Sequence, residues 1–506
     1  MSSPELEGSP GLRIAGEPPP ERAYESWMPD RLSASIVGLA LAIGACLRFY
    51  RLGAYELTAD EAQSWYAAAA PTLGYVVRVA LVLNPGKLGL HELALHFWIL
   101  AFGESVVSMR ALSAILGVLC IQLVFAVARE LLELNVPSPS GLPHDEANRI
   151  AAVSALIFAL CLPAIHYSRE ARLYPLILAL TLAQVWCFIR AARFGRLLHL
   201  LGAACLSFPL VAANLANVAV LAAEGAWLLG LFRRSGWRPT SPLSRRAWNL
   251  AGSLIPGVAT MELMVVTDPS GVYWATHLPF QRAGAVSFMQ MARMAPLNAM
   301  CVLAIGLAAW GTIRGWRQAR AAIWLALLWM WLPVVILSLS LRALGPLFLI
   351  ILSFWFPNFL QRYVLTCIVP FCILIALGVW RIRPNAIRLG AVALLAGLAL
   401  ARIPSYYASP GEGVREWGIQ WREAAAFAAS EAEAGRPISV HPDYCKYVVK
   451  YYARNSTIVP PPSTDAHLII VANYAGDLSD PDVPLLRGEY LRDVTRLEGV
   501  SVWSDR

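Results

Sequence analysis

The chain has 506 residues, of which 58% are hydrophobic and 15% are charged, whereas about a quarter of the residues of a typical soluble domain are charged. Long apolar blocks separate the charged residues, so the composition excludes a soluble globular domain and indicates many membrane-spanning helices. The net charge of +8 comes from arginines in short clusters between these blocks. This pattern is typical of topology signals, and we therefore expect no binding to nucleic acid.

Residues 1–31 are polar and rich in Pro, Gly and Glu, which predicts a disordered cytoplasmic tail. We expect no cleavable signal peptide, and the first apolar block serves instead as a signal anchor. Hydrophobicity windows then predict about eleven membrane-spanning helices within a transmembrane domain at 32–402. They lie near 33–48, 109–131, 149–167, 173–190, 197–213, 216–232, 249–267, 295–313, 321–341, 363–380 and 386–402.

Arginines cluster in every second connection between the later predicted spans, and these connections contain no Asp or Glu. Basic loops stay in the cytoplasm, so the N-terminus is predicted inside and the C-terminal segment outside. The clusters are Arg190, Arg193 and Arg196; Arg233, Arg234, Arg238, Arg245 and Arg246; Arg314, Arg317 and Arg320; and Arg381, Arg383 and Arg388.

Segments 48–108, 167–172, 268–293 and 344–362 are then predicted to face outward. Within 49–108, the stretch Leu90–Gly103 is too short and too polar to cross a membrane, and its helical spacing of apolar residues predicts a helix in the interface plane. The outward segments contain charges of both signs, which indicates a site on this face.

Residues 403–506 lack long apolar runs and are predicted to form a small extracytoplasmic α/β domain. Gly413–Gly435 has helical spacing with Trp417, Trp421, Ala424 and Phe427 on one stripe, while Pro437–His441 and Leu468–Ala472 are predicted strands. The predicted fold class is an all-α polytopic membrane protein with a small α/β C-terminal domain.

Asp60 and Glu61 are adjacent carboxylates that follow the first predicted span by about a dozen residues. Neighbouring residues cannot share a helix face, so the two are expected to serve different partners. A solvated loop, or an N-cap for a helix that begins near Ala62, is the alternative interpretation.

Other charged candidates lie close to the predicted membrane surface. The turn at 166–174 holds several polar groups between two spans, which either face a cavity or pair with each other. Lys87 contacts a phosphate or ordinary lipid headgroups, and Arg362-Tyr363 is either a ligand-binding pair or an interface anchor. Glu224 and Glu262 fall within predicted spans and are either functional or helix-packing residues.

Taken together, these segments resemble the GT-C superfamily of membrane glycosyltransferases. The similar branch includes bacterial protein O-mannosyltransferase-like enzymes, the lipid A aminoarabinose transferase and the lipopolysaccharide-core transferases of rhizobia. The resemblance lies in Asp60-Glu61, His96-Phe97-Trp98 with Phe102-Gly103-Glu104-Ser105 and Arg110-Ala111-Leu112-Ser113, Tyr167-Ser168-Arg169-Glu170-Ala171-Arg172-Leu173-Tyr174, Gln361-Arg362-Tyr363 with Pro370, and Trp421-Arg422-Glu423-Ala424-Ala425.

Some residues depart from the family pattern. Lys87-Leu88-Gly89 stands where many members have His-Pro-Pro, although the lysine resembles the Lys-Pro of the aminoarabinose transferase. Arg169 replaces the usual Gln, and Asn214 and Asn217 lie where a His often follows the fifth span. The sugar and any metal site therefore stay open.

The resemblance implies a sugar donor linked to polyprenyl phosphate and a lipid, glycan or protein acceptor, on the outer side of a bacterial inner membrane and among its lipids. The phosphate leaves already charged, so the enzyme needs cations rather than a strong general acid. We expect Lys87, Arg172 and Arg362, with Tyr363, to bind the donor phosphate. No Walker loop or dinucleotide fingerprint is present, which argues against a nucleotide-sugar donor.

The acceptor hydroxyl requires a base, a role that we assign to Asp60. Single displacement on the sugar inverts its anomeric centre. Glu61 or Glu170 is expected to orient the acceptor or to bind a divalent cation, which is the one cofactor left open. Arg110, Arg169, Glu170 and Tyr174 are supporting residues.

Two other functions stay open at this point. A transporter or lipid flippase has a similar number of spans, but it is expected to place interrupted helices near the midplane. A catalytically inactive family member that acts as a binding subunit is the second alternative, because the Pro-Pro segment is altered.

Overall fold

The structure is a computed structural model that describes residues 29–136, 141–267, 295–340, 365–408, 419–460, 468–472, 492–497 and 500–504. Within these ranges, each predicted span coincides with a helix or with two consecutive helices. The helices are α1 (Arg31–Phe49), α2 (Ala59–Ala68), α3 (Leu73–Leu83), α4 (Leu90–Phe102), α5 (Val106–Leu132), α6 (His144–Ala159), α7 (Leu162–Tyr167), α8 (Tyr174–Phe194), α9 (Leu197–Ala213), α10 (Val218–Ser235), α11 (Pro242–Ser253), α12 (Ile255–Thr267), α13 (Ala295–Gly315), α14 (Arg320–Ser340), α15 (Ile368–Trp380), α16 (Asn385–Ala408), α17 (Trp421–Glu433) and α18 (Lys446–Tyr452).

The helices have the apolar character that a bilayer requires. Within the described ranges, six helical segments are long and apolar enough to cross a membrane by length and composition. Large apolar side chains such as Leu198, Val266 and Ile313 are exposed on helix surfaces, as expected where lipid rather than water surrounds a helix. The predicted class, a polytopic α-helical membrane protein, is confirmed. The inside and outside assignments stay predictions.

Two predicted spans are each divided into two helices. In the span predicted at 149–167, α6 ends at Ala159 and α7 begins at Leu162, with Pro163 in its first turn. Proline has no N–H group to continue the helical hydrogen bonds, which favours a new helix start here. Arg48 Nη1 donates to the carbonyl of Ala159 at 3.3 Å, so a cation satisfies the carbonyl end of α6. The span predicted at 249–267 is likewise divided into α11 and α12.

Arginines predicted as cytoplasmic signals also form ion pairs. Arg190 Nη1 lies 2.7 Å from Glu130 Oε1. Arg193 binds both Glu130 and Glu133. These glutamates lie at the end of α5, so the pairs hold the ends of α5 and α8 together.

The segment after α1 folds as three short helices, α2, α3 and α4, before α5 begins. The loop between α3 and α4 is tied to the bundle, because Leu88 N donates to Ala212 O at 2.8 Å and Leu215 N donates to Gly86 O at 3.1 Å. On α4, Phe97, Leu100 and Phe102 are exposed, which supports the interface helix predicted at Leu90–Gly103.

The C-terminal part of the described chain contains five strands, β1 (Ile438–His441), β2 (Ile458–Val459), β3 (Leu468–Ala472), β4 (Arg492–Leu497) and β5 (Val500–Ser504). They form a mixed sheet with the strand order β2-β1-β3-β5-β4. Strand β1 pairs in parallel with β2 and β3, while β5 is antiparallel to β3 and β4. The predicted strands at 437–441 and 468–472 correspond to β1 and β3. Of the predicted helical stripe, Trp421 and Ala424 are buried, Phe427 is half-buried, and Trp417 lies outside the described residues.

The sheet domain packs directly on α2 and α4. One apolar cluster joins Trp65 of α2 and Leu95 of α4 to Trp421 and Val448 of the domain. Hydrogen bonds reinforce it: Leu57 N donates to Tyr452 Oη at 3.0 Å, and Tyr451 Oη donates to Glu104 O at 2.9 Å. The domain therefore supports the segment that contains Asp60 and Glu61.

Candidate active site

Asp60 and Glu61 lie in the first turn of α2 and have different environments. The helix begins at Ala59 with Thr58 as its N-cap, and Glu61 completes a capping box by accepting from Thr58 N at 3.0 Å. The expected alternative in which Asp60 caps a helix near Ala62 is therefore wrong. The Glu61 side chain is fully buried, whereas the Asp60 side chain is 32% exposed.

Glu61 forms a buried bidentate ion pair with Arg110 of α5. Arg110 Nε donates to Glu61 Oε1 at 2.8 Å, and Nη2 donates to Oε2 at 2.7 Å. Burial by itself raises the pKa of Glu61, but the charge and hydrogen bonds of Arg110 outweigh it, so the pKa lies below its ordinary value. Arg110 also donates to the carbonyl groups of Leu52, Tyr55 and Glu56. The pair therefore fixes the loop that leads into α2.

Arg172 is buried and lies beside Asp60. Its Nη1 donates to Asp60 O at 2.9 Å and to Ser64 Oγ at 2.8 Å, and its Nη2 donates to Asn84 Oδ1 at 3.2 Å. Nη2 is also 3.6 Å from the carboxylate oxygen Asp60 Oδ2. The guanidinium is thus oriented by short bonds to neutral oxygens and has a longer contact with a partly exposed carboxylate.

Lys87 joins this cluster through Asn84. The Lys87 Nζ atom lies 3.5 Å from Asn84 Oδ1, so the amide oxygen faces two cations. On its other side Asn84 Nδ2 donates to Glu92 Oε1 at 3.4 Å, and Ser64 Oγ donates to the same oxygen at 3.2 Å. These contacts bring together α2, the loop after α3, the start of α4 and the turn before α8.

The turn that holds Arg172 is fixed from two sides. Ala171 N donates to Glu61 Oε1 at 2.8 Å. Its carbonyl lies 3.2 Å from His91 Nε2, so that nitrogen carries the proton. Burial, reinforced by the charge of Arg172 and opposed by Glu92, lowers the pKa of His91. A neutral His91 therefore joins α4 to this turn.

The other expected supporting residues lie in the same turn or at the start of α8. Arg169 Nη2 donates to Tyr50 O at 2.9 Å, and its guanidinium stacks over the Tyr407 ring at 4.5 Å. Glu170 pairs with His166 at 3.0 Å. Tyr174 packs against the ring of Tyr167 at 4.8 Å and lines a small cavity with Asn214 and Asn217.

Some expected residues cannot be placed in the cluster. Arg362 and Tyr363 lie outside the described residues. Of the two intramembrane acids, Glu224 accepts from Gln184 Nε2 at 3.0 Å, which supports a helix-packing role, and Glu262 is exposed. Within the described ranges, no three His, Cys, Asp or Glu side chains form a group that could hold a metal ion.

Sequence reasoning did not assign roles to Ser64, Asn84, His91 and Glu92. Two signals were present: Ser64 lies one helical turn after Asp60, and Asn84 and Glu92 flank Lys87. Neither signal shows which of these polar side chains turns inward.

No protein-family model and no curated protein matches the sequence, but solved structures match the fold. ArnT from Cupriavidus metallidurans in the apo state has a TM-score of 0.57 at 14% identity, with 94% of this chain and 98% of that chain covered. The same protein bound to undecaprenyl phosphate has a TM-score of 0.50 at 13% identity, covering 94% and 97%. Archaeal oligosaccharyltransferase AglB from Archaeoglobus fulgidus, in complex with an inhibitory peptide and a dolichol-phosphate, has a TM-score of 0.55 at 10% identity, covering 92% and 73%.

Proposed function

We infer that this chain, which has the fold of the GT-C membrane glycosyltransferases, transfers a sugar from a polyprenyl-phosphate donor to a hydroxyl group of a cell-envelope acceptor. The observation that carries the proposal is the contact between the partly exposed Asp60 carboxylate and the buried Arg172 guanidinium. An undecaprenyl phosphate in ArnT and a dolichol-phosphate in AglB, both of this fold, support the lipid-phosphate part of the donor.

We assign Arg172 and Lys87 to the donor phosphate. Both cations face Asn84 Oδ1, so one phosphate group is within reach of two positive charges. Phosphate binding to arginine and lysine is charge-assisted and strong at a poorly hydrated site. Arg362 and Tyr363 complete the proposed phosphate ligands.

Asp60 is the proposed base. Its carboxylate is 32% exposed and lies 3.6 Å from Arg172 Nη2, whereas that of Glu61 is fully buried in its bidentate pair with Arg110. A phosphate that binds Arg172 competes with Asp60 for the guanidinium, which makes the carboxylate a better proton acceptor. Asp60 then removes the proton from the acceptor hydroxyl. The acceptor oxygen attacks the anomeric carbon of the sugar at the same time, and the bond from that carbon to the polyprenyl phosphate breaks. A single displacement of this kind inverts the anomeric centre.

Glu61 is proposed to position rather than to transfer protons. It holds Arg110 and the Ala171 amide, and so places both Asp60 and Arg172. Glu170 is the remaining candidate for acceptor orientation or for a divalent cation. The proposed acceptor is a lipid, glycan or protein on the outer side of a bacterial inner membrane.

Mass analysis of outer-surface lipids, glycans and glycoproteins from cells with and without the protein tests this function. We expect one glycan or glycolipid to lose a single sugar residue when the protein is removed. As the control, returning the wild-type protein should restore the missing sugar residue, and returning Asp60→Asn should not. Identical envelope profiles in the two strains would contradict the proposal.

A further inference from the structure

We propose that Glu92 is a positioning residue that fixes the hydrogen-bond direction of Ser64 and Asn84, so that both present oxygen to Arg172. The inference deepens the proposed function and rests on it in one respect, the assignment of Arg172 to the donor phosphate. It concerns a carboxylate that does not itself need to touch the donor.

Glu92 is in a position to act in this way because it is buried and lies in the first turn of α4. Only 1% of the residue is exposed, yet its oxygen accepts hydrogen bonds from two neutral groups, Ser64 Oγ and Asn84 Nδ2. The start of a helix favours a negative side chain. An ionised carboxylate can only accept hydrogen bonds.

Ser64 and Asn84 differ from Glu92 because each can both donate and accept. A serine hydroxyl has one hydrogen, and Glu92 takes it, so the lone pairs of Ser64 Oγ face Arg172 Nη1 at 2.8 Å. The Asn84 amide group turns its nitrogen to Glu92, so its oxygen faces Arg172 Nη2 at 3.2 Å. One carboxylate therefore sets the direction of two contacts to the guanidinium.

The arrangement connects Glu92 to the Arg172 guanidinium through two neutral groups, Ser64 and Asn84. Arg110 is paired directly, with two bonds to Glu61 of 2.8 and 2.7 Å. Hydrogen bonds to neutral oxygens offset the positive charge of a guanidinium less than a bidentate pair with a carboxylate does. The Asn84 oxygen also faces Lys87, so the same amide direction serves both proposed phosphate ligands.

Glu92→Gln is the informative change because it keeps the shape and removes the fixed direction. A glutamine amide can donate as well as accept, so Asn84 is free to turn its nitrogen toward Arg172 and Lys87. We expect binding of undecaprenyl phosphate to weaken about three- to ten-fold, the range for one misdirected hydrogen bond. Glu423→Gln is the matched control, since Glu423 also lies in the first turn of a helix but is exposed on α17.

The measurement is the Kd of the full-length protein for undecaprenyl phosphate in detergent or nanodiscs, for wild type, Glu92→Gln, Arg172→Ala and the double variant. Positioning through Arg172 predicts that Glu92→Gln weakens binding in the wild-type background and has a clearly smaller effect in the Arg172→Ala background, where only the contact of Asn84 with Lys87 remains to be misdirected. Equal weakening in both backgrounds would instead assign Glu92 a general structural role and overturn the inference. A wild-type Kd retained in Glu92→Gln would overturn it as well.

An electron cryo-microscopy structure of Glu92→Gln provides a second test of the inference, and this test does not depend on donor binding. The inference predicts that the Arg172 guanidinium moves away from Ser64 and Asn84. If wild type fails to bind undecaprenyl phosphate, the proposed function is contradicted, and this structure still decides whether Glu92 positions Arg172. An unchanged Arg172 would overturn the inference.

Discussion

Asp60 and Glu61 have the same functional group but opposite environments, because adjacent positions on α2 face different neighbours. Glu61 points into the protein and is neutralised by Arg110, while Asp60 stays partly exposed beside Arg172. A carboxylate locked in a buried bidentate pair is a poor base, because its protonation would leave Arg110 as an uncompensated buried charge. The local packing therefore gives Glu61 a structural role, and we propose Asp60 for the chemistry.

The first prediction concerns Glu61→Gln and pH. The folded-state pKa of Glu61 is lowered, so its contribution to stability is complete above the unfolded pKa of about 4.3 and is lost as the pH falls through the lower folded value. At neutral pH we expect Glu61→Gln to destabilise the protein by about 3–5 kcal/mol, the usual cost of breaking a buried pair.

Melting temperatures of wild type and Glu61→Gln, measured from pH 7 downward, test this. The difference should begin to narrow as the pH falls below about 4.3, where Glu61 of the unfolded chain takes up a proton, and should be lost once the pH falls below the lower pKa of folded Glu61. Glu431→Gln is the control, since its pair with Arg436 is partly exposed and is expected to contribute little. A small difference between Glu61→Gln and wild type at neutral pH would contradict the structural role.

The second prediction concerns the cations. Lys87→Ala or Arg172→Ala is expected to weaken use of the lipid-phosphate donor about ten- to a hundred-fold, because each removes a charge-assisted contact. Steady-state kinetics with varied donor concentration measure the effect, and Arg436→Ala supplies a control cation outside the cluster. Unchanged donor kinetics in both variants would contradict donor-phosphate binding by Lys87 and Arg172. The two residues would then be contacts to ordinary lipid headgroups only.

The sequence predicted several residues of the cluster, but not the hydrogen bonds and ion pairs between them. Asp60, Lys87 and Arg172 were singled out from their positions near predicted spans and from motifs. The pairing of Glu61 with Arg110 joins residues 49 positions apart, and neither periodicity nor spacing encodes that distance. The roles of Ser64, Asn84 and Glu92 depend on which side chains turn inward, and this emerges only when α2, α4 and the turn before α8 pack together.

At the scale of elements, hydrophobic pattern predicted the helices well because a bilayer requires long apolar segments whose backbone bonds are satisfied internally. The division at Leu160 and Cys161 was missed, since apolar residues continue through it and only Pro163 marks the new helix. This division lets α7 lead directly into the turn that holds Arg172.

The third prediction concerns membrane topology, that is, the sides of the membrane on which Arg238 and Ser463 lie. Arg238 belongs to a basic cluster expected in the cytoplasm, and Ser463 belongs to the domain expected outside. Reporter fusions at the two positions should therefore give opposite sides. The same side for both would contradict the topology and, with it, the extracytoplasmic location of the Asp60 cluster.

At the scale of the whole molecule, the site is built where three parts meet. The membrane helix α5 supplies Arg110, the short helices α2 and α4 supply Asp60 and Glu92, and the sheet domain packs against α2. A donor with a polar head and a lipid tail suits a site formed between membrane helices and a domain without apolar spans. The composition predicted these parts, but not that the domain supports α2 directly.

The fourth prediction tests the central claim that the chain is a lipid-phosphate-dependent glycosyltransferase with Asp60 as its base. The measurement is sugar transfer from a purified polyprenyl-phosphate donor in liposomes by wild type and Asp60→Asn, with folding checked by thermal melting. Asn keeps the shape of Asp but cannot accept the proton, so we expect transfer by wild type and a loss of about a hundred- to ten-thousand-fold in the folded variant. Transfer by Asp60→Asn at the wild-type rate would contradict the account.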